Sequence, residues 1–219
     1  MTKGSFMDLQ HTHILEYLAA NNYEEVDTFS FYRKIFPAGL LEAKGGSSGK
    51  PNGILVIKDD HGKAVTHFAI SDELEELTNQ IGKSHVVLAP IAYYGQGLTG
   101  RNAGTLHALT INVELSSLVE LERLLQLITE SVVLKATYFV IAGTKLQLYY
   151  IYEDGQELSG TVQKDILQQK ANLIEKLNEF LQLQIPIKTS PLAQSLPMVG
   201  SMDSTSKFKV RAYAVKFKK

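Results

Sequence analysis

The chain contains no cysteine, which excludes disulfides, thiolate catalysis and cysteine-based zinc or iron–sulfur sites, and fits a reducing compartment. Neither sign of charge is in excess, since 22 basic residues face 23 acidic ones for a formal net charge of -1. No global field therefore draws the protein to nucleic acid or a membrane, and any such surface must be local. No apolar run approaches the roughly 18 residues of a spanning helix, and the polar opening "MTKGSFMDLQ" has no secretory h-region. The expectation is a soluble, cytoplasmic protein with no membrane partner. A helical histidine pair around a glutamate is missing, so no zinc-protease helix is encoded, and Gly45-Gly46-Ser47-Ser48-Gly49 matches Gly-x-Ser-x-Gly in spacing only, inside a Gly/Ser-rich loop and not at a strand-to-helix turn.

What is present suits one domain over 1–219, with 1–30 as an N-terminal helical extension, because 219 residues fall close to the usual 100 to 200 or so per domain. Hydrophobic residues at 44% and charged residues at 21% supply a sizeable core. Leu9, Ile14, Leu15 and Leu18 share a helical face from Asp8 to about Leu18, and a second helix around "FYRKIFPAGL" ends at Pro37. "KGGSSGKPNG" reads as a loop, and "GILVIKDD" with "HGKAVTHFAIS" as a hairpin about Asp60-His61-Gly62. Ser71 is the expected N-cap of a helix over "SDELEELTNQIGK", and "HVVLAPIAYYG" reads as a buried strand.

Next comes "HALTINVEL", a strand whose alternation puts Leu106, Ala108, Thr110, Asn112 and Glu114 on one face and His107, Leu109, Ile111 and Val113 on the other. Ser117 and Glu120 form a capping box before a helix with Leu118, Leu121, Leu124, Leu125 and Ile128 on its apolar side. "ATYFVIAGTKLQLYYIYED" reads as two strands around Gly143. A long helix follows over roughly Gln163 to Leu183, with Ile166, Leu173, Ile174, Leu177, Phe180 and Leu181 facing the core and Pro186 marking its end. The last strand, "KFKVRAYAVKF", alternates Lys207, Lys209 and Arg211 with Phe208, Val210 and Ala212. With hairpins and no βαβ series, the fold class is α+β, a largely antiparallel or mixed sheet backed by helices.

Local motifs are few. "GGSSGKP" fails as a phosphate-binding loop, because Lys44 stands where glycine is needed and Pro51 where a hydroxyl is needed. His11 and His13 read as a solvated helix start, and His67, His85 and His107 as structural strand histidines. The basic end is the stronger signal: residues 201–219 hold Lys207, Lys209, Arg211, Lys216, Lys218 and Lys219 against Asp203 alone. Such a stripe could neutralise phosphates, with Tyr213 available for stacking on bases; an edge strand protected by lysines would look the same.

The blocks "FYRKIFPAGLLEAKG", "GKPNGILV", "VVLAPIAYYG", "RNAGTLHALTINVE", "ATYFVIAGTKLQLYYIYED" and "PMVGSMDSTSKFKVRAYAV" together resemble primase-polymerase-like proteins from mobile elements of Firmicutes, in the archaeo-eukaryotic primase superfamily. The resemblance runs from about Phe31 to Val215 and implies a core related to the RNA-recognition fold (RRM-like). It also implies an Asp-hydrophobic-Asp motif at a strand end whose carboxylates bind divalent metals; here those positions are Asn112 and Glu114. A neutral amide binds Mg²⁺ far less well than a carboxylate, which leaves Glu114 as a weak metal candidate. The implied Ser-Gly-Thr-Gly-Leu-His motif reads Ala142-Gly143-Thr144-Lys145-Leu146-Gln147, so Gln147 replaces the phosphate-contacting histidine and Lys145 adds a cation nearby. The implied Gln-Gly-Phe-Arg places Pro197 at the arginine, and the implied Asn-Ala-Arg reads Asn102-Ala103-Gly104 with only Arg101 left as a cation.

Losses at Asn112, Gln147, Gly104 and Pro197 would compound in one transition state, which makes the expected function that of a catalytically degenerate primase-polymerase-like domain in mobile-element replication. The expected partners are DNA, single-stranded or primer-template, through Arg101, Lys145, Lys207, Lys209 and Arg211, or a replication helicase or initiator. No cofactor is expected, and Mg²⁺ or Mn²⁺ only if residual activity exists. The alternatives are an active, atypical primase or DNA polymerase using Glu114 and a divalent metal, and a protein-interaction domain without nucleic-acid binding.

Overall fold

The computed structural model describes residues 3–95, 102–114, 117–131, 134–143, 145–181, 192 and 194–215. Helix α1 (Lys3–Ala20) leads into a two-residue strand β1 (Glu25–Val26) and then α2 (Thr28–Ile35). Asp27 caps α2 by accepting from the backbone N–H groups of Phe29 and Ser30, each at 3.0 Å, and the helix ends at Ile35, two residues before Pro37. The hairpin β2 (Asn52–Lys58) and β3 (Ala64–Ile70) forms as its alternation predicts, and β4 (Val86–Tyr93) is buried along its whole length. A long pair then crosses the molecule, β5 (Ala103–Glu114) against β7 (Lys145–Glu157), with α4 (Leu118–Glu130) and β6 (Tyr138–Ala142) between them in sequence. Helix α5 (Gly160–Leu181), the short β8 (Leu196–Pro197) and β9 (Arg211–Ala214) complete the chain.

These strands make one nine-stranded sheet in the order β1-β9-β6-β7-β5-β4-β2-β3, with β8 beside β4, and every paired strand is antiparallel. Helices α1, α4 and α5 cover one face, where Ile14, Leu18, Leu121, Leu124 and Leu177 pack on Ile111, Val113, Leu146 and Leu148. On the other face α2 lays Phe31, Tyr32 and Ile35 against Val140, Tyr149 and Ala212. The architecture is thus α+β with an antiparallel sheet, as the hairpins predict. No helix among the described residues is long and apolar enough to cross a membrane.

Several local expectations are corrected. The register of β5 against β7 shifts between Leu106 and Ala108. This bulge breaks strict alternation: Leu106 and Leu109 share one cluster, while His107 turns to the other face and meets the ring of Phe36 edge-on at 5.2 Å. Helix α3 shrinks to Glu75–Thr78 and is preceded by Leu74 in the left-handed region at φ 61, not capped by Ser71, whose hydroxyl instead donates to Glu76 at 2.9 Å. Phe180 lies on the solvent side of α5, 64% exposed. His11 is not solvated: it is buried and stacks on Phe208 at 3.8 Å. Pro186 lies outside the described residues.

The final strand differs most. Lys207 sits at φ 62, so the regular ladder begins only at Arg211. β9 lies between β1 and β6 and is not an edge strand. Tyr213 is unavailable to a base, being 5% exposed and stacked on Phe139 at 5.3 Å. Lys209 and Arg211 both reach Glu25 of β1, Lys209 at 3.1 Å.

Candidate functional site

At the far end of the β5–β7 pair, Asn112 lies directly opposite Gln147 and Glu114 opposite Lys145. Because Ile111, Val113, Leu146 and Leu148 point into the helix layer, these four polar side chains fall on the α2 side of the sheet, beyond the edge of its core. They border a cleft of about 420 Å³. The antiparallel pairing of β8 with β4, Pro197 opposite Val87 and Leu196 opposite Leu88, brings 194–197 to the same cleft. The turn after Gly200 closes it with Asp203, Ser204 and Thr205. Gly143, at φ 64, makes this closure possible, since a Cβ there would stand 2.8 Å from Ser206 Oγ.

The blocks that the sequence scatters between residues 112 and 205 are therefore neighbours in space. Lys145 is an exposed cation on the rim. Arg101 and Thr144 lie outside the described residues. Gly104 packs against Tyr94, whose ring a Cβ would approach to 2.5 Å, so an arginine there would have to displace that ring. Two lining residues do not read as site residues in the sequence: Lys58 at the end of β2, and His85, which reads as a structural strand histidine but stands in the bend just before β4. His85 is held at φ 63 with Nε2 3.2 Å from Asp60 Oδ1. No spacing signals either residue, because β2 and β4 meet the cleft only through sheet order.

The resemblance implies divalent metals here, and the residues present do not fit them. Asn112 contributes a neutral amide, and Glu114, the one carboxylate of the motif, stands at the register position opposite Lys145. Asp203 is committed to its own turn, its Oδ2 accepting from Ser206 N at 2.7 Å, Ser206 Oγ at 2.8 Å and Thr205 N at 3.2 Å. No group of three His, Asp or Glu side chains among the described residues could hold an ion. The charges bordering the cleft also offset one another, Lys58 and Lys145 against Glu114 and Asp203.

The amide pair is left with unmet demands. Gln147 is only 3% exposed, and neither its Oε1 nor Asn112 Oδ1 has a hydrogen-bond partner, although both oxygens are buried. A buried acceptor without a donor costs on the order of 1–3 kcal/mol. Gln147→Leu, which keeps the volume and removes the orphan, is expected to stabilise the protein by about 1 kcal/mol in urea unfolding. A loss of stability of that size would show that the amide is satisfied and structurally required.

No family model matches the chain, and no curated protein matches it. Among solved structures, the archaeo-eukaryotic primase (AEP) domain of the cyanophage S-2L primase-polymerase is similar, with a TM-score of 0.50 at 7% identity over 90% of this chain and 92% of that one. At that identity the likeness is one of fold, and it extends across nearly the whole of both chains. The chain has a fold like that of this AEP domain.

Proposed function

We propose that the protein is a primase-polymerase-like domain that binds nucleic acid and has lost metal-dependent nucleotidyl transfer, serving the replication or maintenance of a mobile element. The observation that carries this reading is the Asn112–Gln147 pair at the strand end, two neutral amides with buried, unpartnered oxygens where the resemblance implies a metal-binding carboxylate and a phosphate-binding histidine. Framework and chemistry have parted there: β5 and β7 keep their pairing to the last residue, while the charge that a triphosphate and a metal need is absent.

Nucleic acid would be held by phosphate contacts. Lys145 stands on the cleft rim, and the 203–205 turn that borders the cleft leads straight to Lys207, Lys209 and Arg211. Glu25 sets a limit on this surface, since one carboxylate engages both Lys209 and Arg211. Glu25→Gln is therefore expected to tighten binding to single-stranded DNA several-fold at low salt, measured by anisotropy; weaker binding would mean that Glu25 positions the two cations and does not mask them.

Fluorescence anisotropy of labelled single-stranded and duplex DNA, titrated with the protein at two salt concentrations, tests the proposal. Saturable binding that weakens steeply with salt is expected. No binding at low salt would overturn it and leave the reading of a protein-interaction domain, whose partner would then be sought by pull-down of a helicase or initiator.

A further inference from the structure

A cavity of about 320 Å³ opens beside α2 at the β1 end of the sheet, and it shares no lining residue with the cleft described above. Val26, Phe29, Ile81 and Val199 give it apolar walls, while Thr28 and Lys209 contribute polar ones. Backbone pairing assembles them: Gly82 N donates to Gly200 O at 2.9 Å, and Gly200 N donates to Val210 O at 2.9 Å. Gly200, at φ 89, lets this segment close on α2, since a Cβ there would collide with Thr28 Oγ1. Phe29 is 38% exposed and Ile81 44%, so two of the apolar walls face solvent uncovered. The carboxylates lining the cavity are already engaged, Glu25 by Lys209 and Arg211 and Asp27 by the N–H groups it caps. Glu24, the other acid on this stretch, does not line it. Two further cations stand close in sequence to its walls: Lys83, two residues beyond Ile81, and Lys207, two residues before Lys209. Both are exposed, and neither makes an ion pair among the described residues.

We propose that this cavity takes one unstacked base of a single-stranded nucleic acid, with the ring of Phe29 as its stacking face and the adjoining phosphates on Lys83 and Lys207. Such a site rests on the nucleic-acid binding proposed above, and adds to it a base-binding position that uses neither the cleft nor a metal. The volume admits one planar ring system and is too small for a helix or a strand of a protein partner. An aromatic face beside aliphatic walls gains from burial and stacking whichever base enters, because every base has a π-face, so binding here tolerates any sequence. Lys83 is joined to the basic stretch through the backbone: its C=O accepts from Met202 N at 2.9 Å, and Met202 forms an antiparallel bridge with Lys209. Cations on both sides of an apolar hollow suit a ligand whose rings are apolar and whose backbone is anionic. In a duplex the base faces are covered by their neighbours, so the site selects single strands.

The chain contains no tryptophan, so Phe29→Trp places a single indole in the cavity. Its emission is expected to be quenched by a single-stranded oligonucleotide, with the midpoint that anisotropy gives, and to stay unchanged when an abasic strand of the same length binds. Phe29→Ala is expected to weaken single-stranded DNA binding by roughly ten-fold, the effect of losing one stacked base, while affinity for the abasic strand and the slope of log affinity against log salt stay as they were. Lys83→Gln is expected to lower that slope by ~0.7, the share of one phosphate contact. Wild-type protein that binds no DNA would overturn the site together with the nucleic-acid reading. Saturable, salt-dependent binding that Phe29→Ala leaves unchanged would overturn the base site alone, and leave the cavity to an apolar side chain of a protein partner. Equal losses for the normal and the abasic strand would also overturn it, because Phe29 would then be shaping the fold and not holding a base.

Discussion

Reversing the charges of Lys207, Lys209 and Arg211 together is expected to weaken single-stranded DNA binding by roughly a hundred-fold or more at low salt and to lower the slope of log affinity against log salt by about 2, the share of three phosphate contacts at ~0.7 each. The three cations stand along the stretch that leaves the cleft, two of them exposed at Lys207 and Lys209. Because Lys209 and Arg211 also anchor β1 through Glu25, the reversal is best made with Glu25→Lys, which preserves an ion pair of opposite sense between β1 and β9. Affinity and salt slope unchanged in that quadruple variant would remove the basic strand from the binding surface.

The second large effect concerns stability and pH. His107 is 2% exposed at the β5 bulge, and neither ring nitrogen has a hydrogen-bond partner. Burial pushes its pKa from 6.5 down to about 4. The unfolded chain takes up this proton as the pH falls through 6.5, whereas the folded protein does so only near 4. The stability tied to the neutral ring is therefore complete above pH 6.5 and is lost between 6.5 and about 4, amounting to roughly 3 kcal/mol at ~1.4 kcal/mol per pH unit. His107→Leu is expected to flatten the fall in urea-unfolding free energy between pH 7.5 and 4.5 by about that amount. Parallel pH profiles for the two proteins would mean that the ring is charged, or hydrated, in the fold.

Much of this architecture is visible in the sequence because it is local. The hairpin β2–β3, the fully apolar β4, the Ser117 cap of α4 and the Gly143 turn each follow from periodicity and turn chemistry within a dozen residues. What escapes is set by tertiary contact. A single extra residue at His107 exchanges faces in a strand whose pattern looks uninterrupted. Lys207 in the left-handed region breaks an alternation that reads as continuous, and Glu25 engages two cations that look free. Tyr213 reads as a stacking platform, yet it packs inside the protein against Phe139.

The candidate site divides in the same way. Asn112, Glu114, Lys145, Gln147 and Pro197 are singled out by resemblance, and the sheet gathers all of them around one cleft. Lys58 and His85 join them from β2 and the start of β4, positions for which strand order is the only guide. Asp203 is drawn in by a turn that uses its carboxylate for local hydrogen bonds, which turns the block's single acid into a structural element. The result is a cleft with balanced charge, shaped by a primase-like frame.

The most direct test of the central claim, a retained frame without its transfer chemistry, is a nucleotide-incorporation assay on primed and unprimed templates with Mg²⁺ or Mn²⁺. The wild-type protein is predicted to bind the template and extend or synthesise nothing. Template-dependent incorporation that disappears in Glu114→Ala would contradict the account and establish an active enzyme built on a single motif carboxylate.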